Sequence, residues 1–178
     1  IPYVNTIGTF LTRRCYEQVV LDLCLQNLPV RLIANGGGVV YAPLGPTHLA
    51  VEDIAILRPL PNMTIISPSD ANEMKNLMAE TADLSGPLYV RLGKGGDKVI
   101  SENIKSFKIG KALIYKKPGK VTILSTGVMT QIALDVSKKL SEQNISCGVI
   151  HFHTLKPLDI ELLKQIFSHS SLYFTIEE

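Results

Sequence analysis

Several short runs in this chain are apolar at successive positions, not only at alternate ones. They are Val30–Ala34, Thr64–Ser67, Leu88–Leu92, Val121–Ser125, Cys147–His151 and Leu172–Ile176. A strand of that kind has no polar face to give to water, so both of its faces must be covered. Helical patterns alternate with these runs. Arg14 to Gln26 places Val20, Leu23 and Cys24 on one face. A second helix follows Pro68-Ser69-Asp70 and runs to about Leu84, with Ser69 or Asp70 as N-cap and Glu73 where a capping-box partner sits. Thr130 to Glu142 repeats Ile132, Val136 and Leu140, and Asp159 to Phe167 follows Pro157. Strand alternating with helix predicts an α/β fold of mostly parallel sheets in helix–sheet–helix layers.

Lysines crowd the middle of the chain. Lys105, Lys108, Lys111, Lys116, Lys117 and Lys120 face the single acid Glu102. Such a stretch reads as a solvated linker plus an edge strand that lysine protects from edge-to-edge pairing. Two units are expected, 1–100 and 120–178, with the linker and edge strand at 101–119. The formal net charge of +2 is no nucleic-acid footprint. No apolar run suggests a membrane span, and Ile1-Pro2-Tyr3-Val4-Asn5 lacks the features of a signal peptide. Neither nucleic acid nor membrane is an expected partner. Cys15, Cys24 and Cys147 form no CxxC pair and read as buried thiols of a reducing, cytoplasmic setting.

In a parallel sheet, ligands gather at the carboxyl ends of the strands. Four segments fall there: Gly8-Thr9-Phe10, the loop from Asn35 to His48, Gly93 to Gly96, and Thr154 to Pro157. The second combines Asn35-Gly36-Gly37-Gly38 with Gly45-Pro46-Thr47-His48. Glycines admit close backbone approach, and histidine moves or donates a proton near neutral pH. A flexible loop with a solvent-facing histidine fits the same residues. Arg91 and Lys94 beside three glycines suit a phosphate, although GxxxxGK[ST] is absent. His151 and His153 alternate on a strand and can share a face, but a third metal ligand has no place. His169 reads as a surface residue. No GxSxG or HExxH occurs, which leaves hydrolase chemistry without support.

Longer motifs carry a resemblance. Thr9-Phe10-Leu11-Thr12-Arg13-Arg14-Cys15-Tyr16-Glu17-Gln18, Gly45-Pro46-Thr47-His48 and Arg58-Pro59-Leu60-Pro61-Asn62-Met63-Thr64 resemble the pyrimidine-binding domain of transketolases. Ser67-Pro68-Ser69-Asp70 and Tyr89-Val90-Arg91-Leu92 keep the same register. Lys156-Pro157-Leu158-Asp159 and Thr175-Ile176-Glu177-Glu178 resemble the transketolase C-terminal domain. The resemblance covers essentially the whole chain and assigns the pyrimidine-binding type to 1–100 and the C-terminal type to 120–178.

The resemblance implies two-carbon ketol transfer between sugar phosphates, with thiamine diphosphate and Mg2+ at a dimer interface. It makes Phe10 the aromatic that stacks on the aminopyrimidine and Tyr16 a second aromatic of that pocket, in a cofactor segment that includes Arg13 and Arg14. It makes His48 the histidine that contacts the substrate hydroxyl, and Arg91 and Lys94 the residues that meet the sugar phosphate. Departures accompany it. The family's activating glutamate and its diphosphate and metal motif do not occur in these residues. Arg13 replaces an aromatic, Leu44 an aspartate that contacts the donor sugar, and Gly36 a substrate histidine. The expectation is a section of a longer enzyme, truncated at both ends, inactive without the transketolase N-terminal section in the same chain or a separate subunit. A 1-deoxyxylulose-5-phosphate synthase, a 2-oxo-acid dehydrogenase beta subunit, and a non-catalytic assembly subunit of the same fold stand as alternatives.

Overall fold

In the computed structural model, which describes residues 1–104 and 106–178, the chain builds two sheets. The first has five strands in the order β1 (Tyr3–Ile7), β2 (Arg31–Asn35), β4 (Leu88–Arg91), β3 (Thr64–Ile66) and β8 (Thr154–Lys156). The second has four, in the order β5 (Leu113–Lys116), β7 (Cys147–His151), β6 (Val121–Ser125) and β9 (Leu172–Ile176). All pairs are parallel except β3–β8 and β5–β7. The α/β expectation holds, with mostly parallel sheets flanked by helices. Residues of β2, β3, β4 and β7 are buried almost throughout, as strands covered on both faces require.

Among the described residues six α-helical segments flank the sheets: α1 (Gly8–Leu11), α2 (Tyr16–Gln18), α3 (Asp53–Leu57), α4 (Ala71–Glu80), α5 (Met129–Glu142) and α6 (Ile160–Ile166). The helix expected over 14–26 is only partly α. After α2 the chain widens into a π-helical turn over Val19–Cys24, with bonds such as Leu25 N–H to Val20 O at 2.9 Å. Val19 and Cys24 still reach the core. α4 is capped as the sequence predicts, since Asp70 accepts from Glu73 N–H at 2.9 Å. Glu73 itself turns to Ser69, whose N–H and hydroxyl donate at 2.5 and 2.7 Å. α5 buries Thr130, Ala133 and Ser137, whereas Ile132 and Val136 remain 46% and 38% exposed. Its apolar repeat thus does not mark the buried face, because small residues allow the closer approach to β7. β1 was not anticipated, for Tyr3 and Val4 are exposed and the strand pairs only with β2.

The stretch 101–119 supplies β5, one edge strand of the second sheet. Lys105 lies outside the described residues. The two units also interlock. β8 comes from the second unit's sequence yet pairs antiparallel with β3 of the first sheet. Lys156, on β8, donates to the carbonyls of Arg58, at 2.9 Å, and Leu60. No helix among the described residues is long and apolar enough to cross a membrane.

The seam between the units is polar and buried. His151 and His153 do share a face, with their rings 5.9 Å apart. His151 Nε2 pairs with Glu73 Oε2 of α4 at 2.9 Å, and its Nδ1 with Thr130 of α5 at 2.8 Å. All of these side chains are fully buried. Among the described residues, no group of three or more His, Cys, Asp or Glu is arranged to hold a metal ion. Burial opposes the charge on Glu73, but His151 and the Ser69 donors outweigh it and hold its carboxyl below the ordinary range. Burial pushes His153 from 6.5 down to about 4, against the pull of Glu73.

The folded state therefore binds fewer protons at His153 than the unfolded chain between those two values. Its contribution to stability is complete above pH 6.5 and is lost as the pH falls towards about 4. Chemical denaturation from pH 7 to pH 4 is expected to show a loss of roughly 3 kcal/mol from this group. His153→Phe should flatten that slope; an unchanged slope would show that the seam does not sense His153.

Candidate functional site

The parallel run β1–β2–β4–β3 puts four strand ends on one edge of the first sheet. Onto that edge come α1 with Phe10, the glycine segment after Asn35, the cap region Ser67–Asp70, and the loop after Arg91. The glycine segment is stitched in place. Gly36 and Gly37 N–H donate to Gly93 O and Leu92 O at 3.2 and 2.9 Å. Gly38 and Ala50 exchange both backbone bonds, at 2.8 and 3.1 Å. Gly36 has φ +76°, and a Cβ there would stand 2.0 Å from the Tyr41 ring. No other residue type fits that turn without moving Tyr41.

This stitching brings His48 beside Phe10, with ring centroids 5.3 Å apart and edge to face. Both are half-buried. Thr47 Oγ1 pairs with His48 Nδ1 at 2.9 Å. Arg14 lays its guanidinium 4.0 Å from the Phe10 centroid and donates to Thr47 O at 3.2 Å, a cation–π contact that covers one face of the ring. Arg13 pairs with Glu52 at 2.5 Å and donates to Pro46 O and Leu49 O at 3.1 and 3.4 Å. The bond from Arg13 lowers the Glu52 carboxyl against a smaller effect of burial. The fold thus gathers Phe10, Arg13, Arg14 and His48 into one cluster, with both arginines tying down the histidine's loop.

Tyr16 turns away from that cluster. Its hydroxyl donates to Ile56 O at 2.9 Å, and its ring packs on the core under α3. Lys94 is exposed and borders a separate cavity of about 230 Å3, with Asn35, Met74, Leu92, Asp97 and Val128. Arg91 departs most from the expectation of a phosphate rim. It is only 4% exposed, and its Nε bonds Asp53 Oδ2 at 2.9 Å. A buried guanidinium needs such a partner, so its charge is spent inside the protein. Leu44 is 56% exposed on the loop that leads to His48. A larger apolar cavity of about 410 Å3 lies in the second unit among Leu124, Phe152, Leu155, Leu163 and Ile176. His169 is exposed, as expected.

Sequence reasoning passed over Asp53 and Tyr89. The Tyr89 hydroxyl donates to Asp53 Oδ2 at 2.7 Å, and burial with that carboxylate pushes its own ionisation far up. The available signal was an acid at the first turn of a short helix directly after the His48 loop.

Comparison with known proteins fits this geometry. The family model "Transketolase, pyrimidine binding domain" matches residues 1–96, and "Transketolase, C-terminal domain" matches 110–178. A 1-deoxy-D-xylulose-5-phosphate synthase of Clostridium tetani is 34% identical over 99% of this chain and 28% of its own length. The 6-deoxy-6-sulfo-D-fructose transketolase subunit SqwH of a Clostridium species is 34% identical over 90% of this chain and 50% of its own. Among solved structures, a split-gene transketolase described as an inactive beta4 tetramer superposes with TM-score 0.90 and 32% identity, covering all of this chain and 57% of that one. The transketolase of Campylobacter jejuni, at 17% identity and TM-score 0.82, shares the fold over 99% of this chain. The chain spans between about a quarter and just over half the length of these relatives.

Gly36→Ala is expected to lower stability by about 1–3 kcal/mol through φ strain and the Tyr41 clash. Urea unfolding should show the midpoint falling with the slope unchanged; an unshifted midpoint would mean that the turn relaxes freely.

Proposed function

The chain belongs to the transketolase family, and on that premise we propose that it is the pyrimidine-binding and C-terminal section of a thiamine diphosphate-dependent transferase. The reaction proposed is transfer of a two-carbon ketol unit between sugar phosphates. The observation that carries this reading is the Phe10–His48 pair, two rings 5.3 Å apart at the carboxyl edge of a parallel sheet. A half-buried aromatic on that edge suits a flat heteroaromatic ring, and a histidine at its rim suits a reacting hydroxyl.

The residues present fit the pyrimidine end of the cofactor. Phe10 offers the face that Arg14 leaves uncovered, and the buried Thr9 hydroxyl next to it has no hydrogen-bond partner among the described residues. No metal-binding cluster occurs among those residues, so the diphosphate and Mg2+ are assigned to a partner section. That section is either joined in one polypeptide or a separate subunit, with the cofactor between protomers of a dimer. When bound, thiamine diphosphate supplies the electron sink that two-carbon transfer requires.

This chain's own groups hold and orient. Thr47 pairs with His48 Nδ1 and leaves Nε2 as the nitrogen that faces substrate. Arg13 and Arg14 fix the loop through the carbonyls of Pro46, Thr47 and Leu49. Lys94 remains the group proposed for the sugar phosphate, because it is exposed on the same sheet edge. Arg91 is not proposed for that role. A second reading, a 1-deoxyxylulose-5-phosphate synthase section, draws on the match of nearly the whole chain to such a synthase. The exposed Leu44, apolar where the transketolase pattern has an aspartate, favours an altered donor.

Calorimetry with thiamine diphosphate and Mg2+ tests the cofactor reading. No heat from the chain alone but saturable binding after mixing with a transketolase N-terminal section from the same source is expected. No binding in the mixture would sink the reading and leave a non-catalytic relative. The assembled enzyme should then consume xylulose 5-phosphate with ribose 5-phosphate; turnover only of pyruvate with glyceraldehyde 3-phosphate would select the synthase. In that assembly, His48→Ala should lower turnover by roughly 10²-fold, the scale of one lost transition-state donor.

A further inference from the structure

Arg91 closes on four separate parts of the chain. Nε donates to Asp53 Oδ2 at 2.9 Å, and Nη2 is shared between Ala50 O at 3.1 Å and Glu178 O at 3.0 Å. The guanidinium also lies against Gly37, where a Cβ would stand 2.6 Å from Cζ. Asp53 is itself held by the Tyr89 hydroxyl at 2.7 Å. The Ala50 carbonyl that receives Nη2 also accepts from Gly38 N–H at 2.8 Å. Ala50 lies two residues beyond His48 in the sequence. Ala50, just past His48, is therefore fastened by one buried cation, while Arg13 and Arg14 hold the carbonyls of Pro46, Thr47 and Leu49 on either side of the histidine.

We propose that Arg91, oriented by Asp53, is a positioning residue for His48: through Ala50 and Gly37 it fixes where the imidazole stands against Phe10. The inference rests on the reading of His48 as the group that meets substrate. A planar fork is needed to serve Asp53, Ala50 and Glu178 together. Lysine carries the same charge on a single nitrogen and cannot span them. The arrangement also explains why a basic residue on this sheet edge is not at the rim. Its donors are occupied by the chain itself, and Gly37 leaves the flat space that the guanidinium occupies.

The test compares Arg91→Lys with Gly37→Ala, which crowds the guanidinium without changing any charge. The first readout needs no cofactor. The chain has four histidines, and their ring nitrogens can be followed by NMR, with His48 assigned through His48→Ala. Both variants are expected to shift the His48 ring signals and leave those of His151, His153 and His169 in place. Unmoved His48 signals, or equal shifts of the seam histidines, would overturn the proposal. The second readout is a double-variant cycle in the assembled enzyme with thiamine diphosphate, Mg2+ and xylulose 5-phosphate. Arg91→Lys should lower kcat by on the order of 10-fold, with KM little changed, and should add no further loss to His48→Ala. Equal losses in both backgrounds would overturn it in favour of a merely structural pair. If His48→Ala alone costs no turnover, the reading of His48 fails, while the NMR comparison still decides whether Arg91 positions its ring.

Discussion

Parallel strands need a crossover after every strand, and that requirement organises everything else in this molecule. Each crossover carries the chain back along the sheet, so every parallel strand of the first unit ends on the same edge. Residues distant in sequence, Phe10 after β1 and His48 after β2, become neighbours there without any special device. The interior between sheet and helices is built on apolar clusters. It also holds polar groups such as Arg31, which is fully buried and donates from both terminal nitrogens to the carbonyls of Thr81, Leu84 and Gly86 near the end of α4. Buried cations of this kind are tolerated because carbonyls replace the lost water.

The seam between the two units follows another principle. An apolar seam would hold the units together with less electrostatic cost. Here α4 presents Glu73 to His151, and β3 presents its open edge to β8. Directional bonds admit one register where apolar packing would admit several. The same logic governs Asp70, which caps α4 and also accepts from the backbone of Ile100 and Ser101, so the exit from the first unit is anchored to the helix start.

Much of this was legible in the residues. Consecutive apolar positions at Val30–Ala34 and Leu88–Leu92 correspond to strands covered on both faces, and Asp70 caps a helix as its side chain allows. The glycine segment and His48 lie at the carboxyl edge of the first sheet, where the strand pattern put them. What escaped has physical causes. β1 is exposed from Tyr3 to Asn5, so its residues carry no apolar period. The face of α5 was misjudged because Ala133 and Ser137 pack more closely than Ile132 and Val136. Arg91 looked like a rim cation because charge shows in a sequence and burial does not; its partner Asp53 lies on another element and adjoins it only in the fold. The resemblance groups Tyr16 with Phe10, but the turn between them aims the two rings at different neighbours.

The backward pairing of β8 has a consequence for how a gene of this kind can be divided and recombined. The two family models meet between residues 96 and 110, which looks like a natural place to exchange modules. Yet the strand that completes the first sheet is encoded after that point. A chimera joined there inherits its β3 edge from one parent and the strand that covers it from the other. The boundary visible in the sequence is thus a poor place to cut, because β3 and β8 must come from the same parent to keep a matched edge.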